Sequence, residues 1–138
     1  MEEYTEMINY SSDTGLITAA DLEPFFEGWG KKPALEKRLQ ILNKSDHVVI
    51  SFDEKRLIGF INAITDKTLT AYIPLLEVIP EYRNRGIGSK LVRRMLTLLK
   101  DYYMIDICCD KELEGFYHKL GFTALTGMVI RNYDRVQK

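Results

Sequence analysis

Two cysteines and two histidines are all that this 138-residue chain offers to redox or metal chemistry. Cys108 and Cys109 are adjacent, and neighbours along a strand point to opposite faces, so they do not bridge. They read as reduced thiols of a reducing compartment. His47 and His118 stand alone with no ligand spacing around them, so no metal is expected. No run approaches the ~18 apolar residues of a membrane span. The opening MEEYTEMINY is acidic and lacks an apolar segment, so no secretory leader is expected and a cytoplasmic location is. Neither charge is in surplus: the net value is -1, which argues against broad electrostatic binding of nucleic acid or an anionic membrane. Repeats, low-complexity tracts and Ser/Pro linkers are missing, so one domain over residues 1–138 is expected.

What is present is an ordinary globular balance, 46% hydrophobic and 28% charged, in a chain long enough to bury roughly 68% of its unfolded surface. Residues 3–10 fit a first strand. TAAD (Thr18 to Asp21) has the form of a capping box with Asp in place of Glu. Leu22, Phe25, Phe26 and Trp29 follow at helical spacing, and Pro33 opens a second helix carrying Leu35, Leu39 and Leu42. The period then becomes that of strands: His47 to Phe52, Leu57 to Ile64 and Leu69 to Ile79, an antiparallel meander. A helix over 86–100, a strand over 102–109, a short helix over 111–120 capped by Gly121, and a final hairpin over FTAL and MVIRNY complete the chain. The order is β-α-α-β-β-β-α-β-α-β-β, an α+β fold.

The chemistry concentrates in PEYRNRGIGSKL, residues 80 to 91. A helix starting near Gly86 points unpaired N–H groups and the positive end of its dipole out of its first turn. The glycines let a ligand approach bare backbone, and Arg83 and Arg85 add charge-assisted donors. This is a pyrophosphate-sized anion site. The P-loop pattern fails because position 83 is Arg and Ser89 separates Gly88 from Lys90. The dinucleotide fingerprint fails because Leu91 stands where a third small residue belongs. Both failures weaken a nucleotide-binding reading.

What fits is [RQ]-x-x-G-x-[GA], over Arg83, Asn84, Arg85, Gly86, Ile87 and Gly88. Together with LEVIPEYR before it and FYHKLGF (Phe116 to Phe122) after it, this resembles the GCN5-related N-acetyltransferase (GNAT) family over nearly the whole chain. The resemblance implies a GNAT-like, mixed but mostly antiparallel central sheet with helices on both faces. It implies acetyl-CoA as co-substrate, with its pyrophosphate held by Arg83, Arg85, Gly86, Ile87, Gly88 and Ser89. It implies a splay after the fourth strand where Leu76, Glu77 and Val78 offer backbone to the pantetheine arm, and where the Val78 N–H polarises the thioester carbonyl. Pro74 and Pro80, which lack a donor, give a local reason for such a break.

The implied reaction is direct attack of a primary amine on the thioester. Tyr117 matches the tyrosine that many members use as general acid; the bland reading is a packed ring. Glu77, a lone carboxylate within PLLEVIP, is the candidate base, with a raised pKa expected from its apolar setting. Simple attraction of a cationic acceptor is the alternative. Cys108 and Cys109 suggest a covalent route only weakly, because no base partner is legible, and they read as a buried strand pair. Asp110 and Leu113 depart from the family pattern, so a pantetheine contact by Asp110 is in doubt. Phe25, Phe26 and Trp29 read as core or as an aromatic wall for the acceptor. Arg93 and Arg94 read as a solvated helix face or as ligands of the coenzyme's 3′-phosphate. The acceptor is a small-molecule or peptide amine. The resemblance also admits a homodimer, and a non-catalytic acyl-CoA-binding module of the same fold.

Overall fold

The computed structural model describes residues 7–137. Its centre is a mixed six-stranded sheet built from β1 (Ile8–Ser11), β2 (His47–Asp53), β3 (Arg56–Thr65), β4 (Thr70–Ile73), β5 (Leu76–Val78) and β6 (Met104–Ile107). Three helices accompany it: α1 (Leu35–Asn43), α2 (Ile87–Leu98) and α3 (Glu114–Lys119). The strands run β1-β2-β3-β4-β6, with β5 paired to β3 off that path. Every pair is antiparallel except β4 with β6. The part of the first expected strand that falls on residues 3–6 lies outside the described residues.

β3 is buried without a break from Leu57 to Ala63, which requires cover on both faces. The alternation of side chains assigns the two layers. Gly59 faces α2, where an added Cβ would lie 3.2 Å from Leu91 Cδ1 and 2.7 Å from Ser51 Oγ. Phe60 faces the other way, with ring centroids 5.2 Å from Phe25 and 6.2 Å from Phe26. α2 presents Ile87, Leu91, Val92 and Met95 to the core, the one-sided stripe its spacing predicts.

Three expectations are corrected. The first helix is absent. After a 3-10 turn at Ala19–Leu22, Pro24 has no N–H for the next helical bond. Phe26 then enters the left-handed region at φ 65°. Leu22, Phe25 and Phe26 are still buried, so the apolar spacing marked the core but not the conformation. The third strand is two, β4 and β5, parted at Pro74 and Leu75. The final hairpin is not formed: residues 121–132 are neither helix nor strand. Gly121, with φ 102° and its N–H on His118 O, does close α3 as expected.

Candidate active site at the sheet break and the mouth of helix α2

The break between β4 and β5 is held open by Asn62. This side chain is buried at 2% exposure. Its Oδ1 accepts the Leu75 N–H at 3.0 Å, and its Nδ2 donates to Ser45 Oγ at 3.0 Å. The Asn62 N–H donates to Leu75 O at 3.2 Å. Asn62 thus satisfies the backbone where Pro74 and the change of strand interrupt the ladder.

Past the break, β5 pairs with β3 in the register Leu76↔Ile61, Glu77↔Phe60 and Val78↔Gly59. The Ile79 N–H donates to Ile58 O at 2.9 Å, so Ile79 and Ile58 are a hydrogen-bonded pair. Such pairs alternate along an antiparallel ladder. Glu77 therefore shares its backbone bonds with Phe60, and the backbone groups of Leu76 and Val78 face the open side of β5. The Val78 carbonyl there accepts Arg83 Nε at 2.9 Å.

The Glu77 side chain is half-buried, and its Oε1 accepts the Phe26 N–H at 2.8 Å. Oε2 is buried with no partner among the described residues. Burial pushes this carboxyl above the ordinary carboxylate range; the Phe26 N–H, Arg83 and Arg38 pull it back, and Glu27 adds to the rise. Phe26 reaches this position in a backbone region that costs a bulky residue about 1–2 kcal/mol. Its bond to Glu77, its edge contact with Trp29 at 4.9 Å and its buried ring offset that strain. Arg38 fixes the same loop from below. It is 7% exposed, and its NH1 donates to the carbonyls of Leu22, Glu23 and Phe25 at 2.9, 3.0 and 3.3 Å. Its Nε donates to Pro33 O at 2.9 Å.

At the mouth of α2, Asn84 has φ 63° and Gly86, the N-cap, has φ 82°. Nothing lies within 4 Å of a Cβ built on Gly86, so its glycine answers to dihedral strain alone. The N–H groups of Gly86, Ile87, Gly88 and Ser89 have no acceptor among the described residues. The Ile87 side chain is buried, so this residue can offer a ligand only its amide. Arg85 stacks on Tyr82, its guanidinium 4.9 Å from the ring centroid. Arg83 points elsewhere: besides Val78 O, its guanidinium reaches Glu27 at 3.4 Å. A cradle of unpaired amides on a helix N-terminus with one arginine beside it suits a phosphate-bearing anion, and a strand edge with free backbone groups lies next to it.

Tyr117, on α3, is 6% exposed. Its ring meets Phe116 at 4.9 Å and Phe122 at 5.6 Å, both edge-on. Burial, and then the neighbouring Cys109, push its hydroxyl up to about 12.

The family model described as "Acetyltransferase (GNAT) family" matches residues 16–122. The chain belongs to the GNAT acetyltransferase family. An inferred acetyltransferase of known structure from Deinococcus radiodurans R1 is 40% identical, with a TM-score of 0.90 over 94% of this chain and 91% of its own. A GNAT family acetyltransferase of Streptococcus pneumoniae TIGR4 is 25% identical, with a TM-score of 0.76 over 92% and 99%. Among curated proteins, the uncharacterized N-acetyltransferase ycf52 of Porphyra purpurea is 29% identical over 82% of this chain, and the histone acetyltransferase TAP1 of Glycine max 30% identical over 86%. The chain spans 69% of the former and 57% of the latter.

Within this GNAT protein, the remaining sequence-level candidates fall as follows. Cys108 and Cys109 are free and exposed, not a buried strand pair. The parallel ladder ends at Ile73↔Ile107, where Pro74 turns β4 away, so the cysteines lie beyond it. Phe25 and Phe26 are core, while Trp29 is 41% exposed at the rim beside Phe26. Asp110 and Leu113 are exposed on the approach to α3. Arg94 stacks on Tyr10 at 4.6 Å, and Arg93 is exposed. His118 Nδ1 lies 3.2 Å from Phe122 O, outside the site. Asn62, Arg38 and the Phe26 amide were not legible as functional. The one available signal was Arg38 itself, a charge on the Leu35, Leu39 and Leu42 face of α1. No helix among the described residues is long and apolar enough to cross a membrane.

Proposed function

We propose that this acetyltransferase moves the acetyl group of acetyl-CoA to a primary amine by direct attack on the thioester. The observation that carries the reading is Glu77: it sits on a strand with an open edge, one carboxylate oxygen anchored by Phe26 and the other free, with its affinity for a proton raised. The unpaired amides of Gly86 to Ser89, with Arg85, hold the coenzyme's pyrophosphate. Leu76 and Val78 offer the backbone of β5 to the pantetheine arm. Arg83 acts here on β5 itself, holding the Val78 carbonyl so that the Val78 N–H is aimed at the thioester oxygen.

An amine arrives as an ammonium and must lose a proton before its lone pair can attack. Glu77 takes that proton, directly or through a water. The nitrogen bonds to the carbonyl carbon, and the negative charge that forms on oxygen is met by the Val78 N–H. The carbon–sulfur bond then breaks, the electron pair leaves on sulfur, the Tyr117 hydroxyl supplies the proton that completes the thiol, and the second proton that the acylated nitrogen sheds passes through water to restore the tyrosine. At about 12 the hydroxyl is fully protonated at neutral pH, as a donor must be.

The test is release of coenzyme A thiol from acetyl-CoA against a panel of amino acids, polyamines, aminoglycosides and peptide amines. Tyr117→Phe should lower kcat about 10²–10⁴-fold with acetyl-CoA Kd unchanged. Full kcat in that variant would return Tyr117 to a packing role. Tight acetyl-CoA binding with no thiol release across the panel would favour a binding module over an enzyme.

A further inference from the structure

The turn that leads into α2 is anchored more firmly than its exposed setting requires. Pro80–Tyr82 forms a single 3-10 turn between β5 and the helix mouth. It starts from Ile79, a buried residue whose N–H is tied to Ile58 on β3. The Tyr82 N–H donates back to Ile79 O at 3.0 Å. Tyr82 therefore stands on the sheet, half-buried against the core.

Its ring is fixed at the far end as well. The Tyr82 hydroxyl donates to the Asp53 carboxylate. Asp53 ends β2 and pairs with Arg56, which begins β3, so the contact reaches the end of a hairpin whose two strands are paired. That hydrogen bond, above all, pushes the Tyr82 hydroxyl above its ordinary value, and the group stays a donor at neutral pH. Arg56 places its guanidinium 5.7 Å from the ring centroid and pairs with Glu81 at 2.9 Å.

The fixed ring carries Arg85. The guanidinium lies 4.9 Å from the Tyr82 centroid, within cation–π reach. The backbone brings the two together: Asn84 at φ 63° and Gly86 at φ 82° flank Arg85 in the left-handed region, and the chain turns so that residue 85 comes back to residue 82. Asparagine and glycine are the residues that enter that region most readily. Arg83 does not serve the helix mouth in this way, because Val78 O and Glu27 hold it. A long exposed arginine samples many rotamers, and an anion that binds it must first select among them. A guanidinium already stacked on a ring has less freedom left to lose.

We propose that Tyr82, held by Asp53, is a positioning residue that sets the Arg85 guanidinium beside the amides of the α2 mouth before the coenzyme's phosphates arrive. Tyr82 touches no ligand itself, and its role rests on the acetyl-CoA reading above.

The test is calorimetric titration of the full chain with acetyl-CoA, as wild type, Tyr82→Phe, Tyr82→Leu, Arg85→Ala, and Tyr82→Leu with Arg85→Ala. Tyr82→Leu should weaken binding roughly three- to tenfold, the worth of one preordered long side chain, and Arg85→Ala at least as much. With Arg85→Ala already in place, Tyr82→Leu should have no further effect. Tyr82→Phe keeps the ring face and loses Asp53, so its affinity should fall between wild type and Tyr82→Leu. In proton NMR of the ligand-free wild type, a measurement that needs no variant to fold, the Arg85 δ-methylene protons should be shifted upfield by the ring. Unshifted Arg85 protons, or wild-type affinity in Tyr82→Leu, would overturn the proposal. So would a Tyr82→Leu loss that persists undiminished beside Arg85→Ala, since Tyr82 would then act by packing the turn. A wild type that does not bind acetyl-CoA would overturn the acetyl-CoA reading and this role with it.

Discussion

Replacing Glu77 with glutamine separates the chemistry of this carboxylate from its structural service. Glu77→Gln keeps an oxygen to accept the Phe26 N–H, now 2.8 Å away, so the strained loop stays anchored. It removes the proton acceptor. The carboxyl is pushed above its ordinary value of about 4.3, chiefly by burial. Folding therefore favours the protonated form. The stability linked to that form is complete below the unfolded value and is lost as pH rises through the raised folded value. Above it, the ionised, half-buried group weighs against the fold; neutral glutamine removes that cost but places an amide NH2 where Oε2 has no partner among the described residues, which costs about 1–3 kcal/mol. The denaturant midpoint of the variant relative to wild type should therefore improve as pH rises through the raised value, while kcat falls about 10²–10⁴-fold, the usual worth of a positioned base. Wild-type kcat/KM should show an acid limb above 4.3, and the variant should lose that limb. An unchanged kcat with a raised acceptor KM would refute the base role and leave Glu77 as an electrostatic attractor. A midpoint difference between variant and wild type that does not change with pH would refute the argument from burial.

Two further substitutions probe the frame around it. Asn62→Leu strips the buried bonds to the Leu75 N–H and Ser45 Oγ; a stranded donor costs about 1–3 kcal/mol, so the denaturant midpoint should drop and kcat with it, and a wild-type kcat would show that the break does not need this pin. Trp29→Ala, at the rim beside Phe26, should raise the acceptor KM and leave acetyl-CoA Kd alone; equal losses in both, with lowered stability, would make Trp29 core.

The parts of this fold that could be read in advance are those where one local rule decides. α2 follows from its one-sided apolar stripe, the end of α3 from Gly121, and the break before β5 from Pro74. The mouth of α2, with its unpaired amides, was legible because glycines and arginines are contiguous there in sequence. The misses occur where distant groups outvote local spacing. Leu22, Phe25, Phe26 and Trp29 have helical spacing. Pro24 removes a donor, however, and the Glu77 carboxylate, fifty-one residues away, takes the Phe26 N–H, while Arg38 takes three carbonyls of the same loop. Arg83 was legible as a cation beside the mouth of α2, but the direction of its side chain depends on Val78 O and Glu27, which spacing does not reveal. The strand pattern of MVIRNY is real as a propensity, and within one chain it finds no ladder to join.

The central claim is that the amides at the mouth of α2 hold the coenzyme's pyrophosphate, and Gly88 offers its most direct test. A Cβ on Gly88 would meet Phe116 at 3.5 Å, an ordinary contact, so Gly88→Ala leaves the fold intact while adding a methyl beside the amides of the helix mouth. Calorimetric titration with acetyl-CoA, with ATP and NAD as controls, should show binding of acetyl-CoA in preference to either nucleotide by the wild type, and at least tenfold weaker binding by Gly88→Ala, a loss of about 1.4 kcal/mol or more. Equal acetyl-CoA affinity in the two proteins, or a preference for ATP or NAD, would contradict the account.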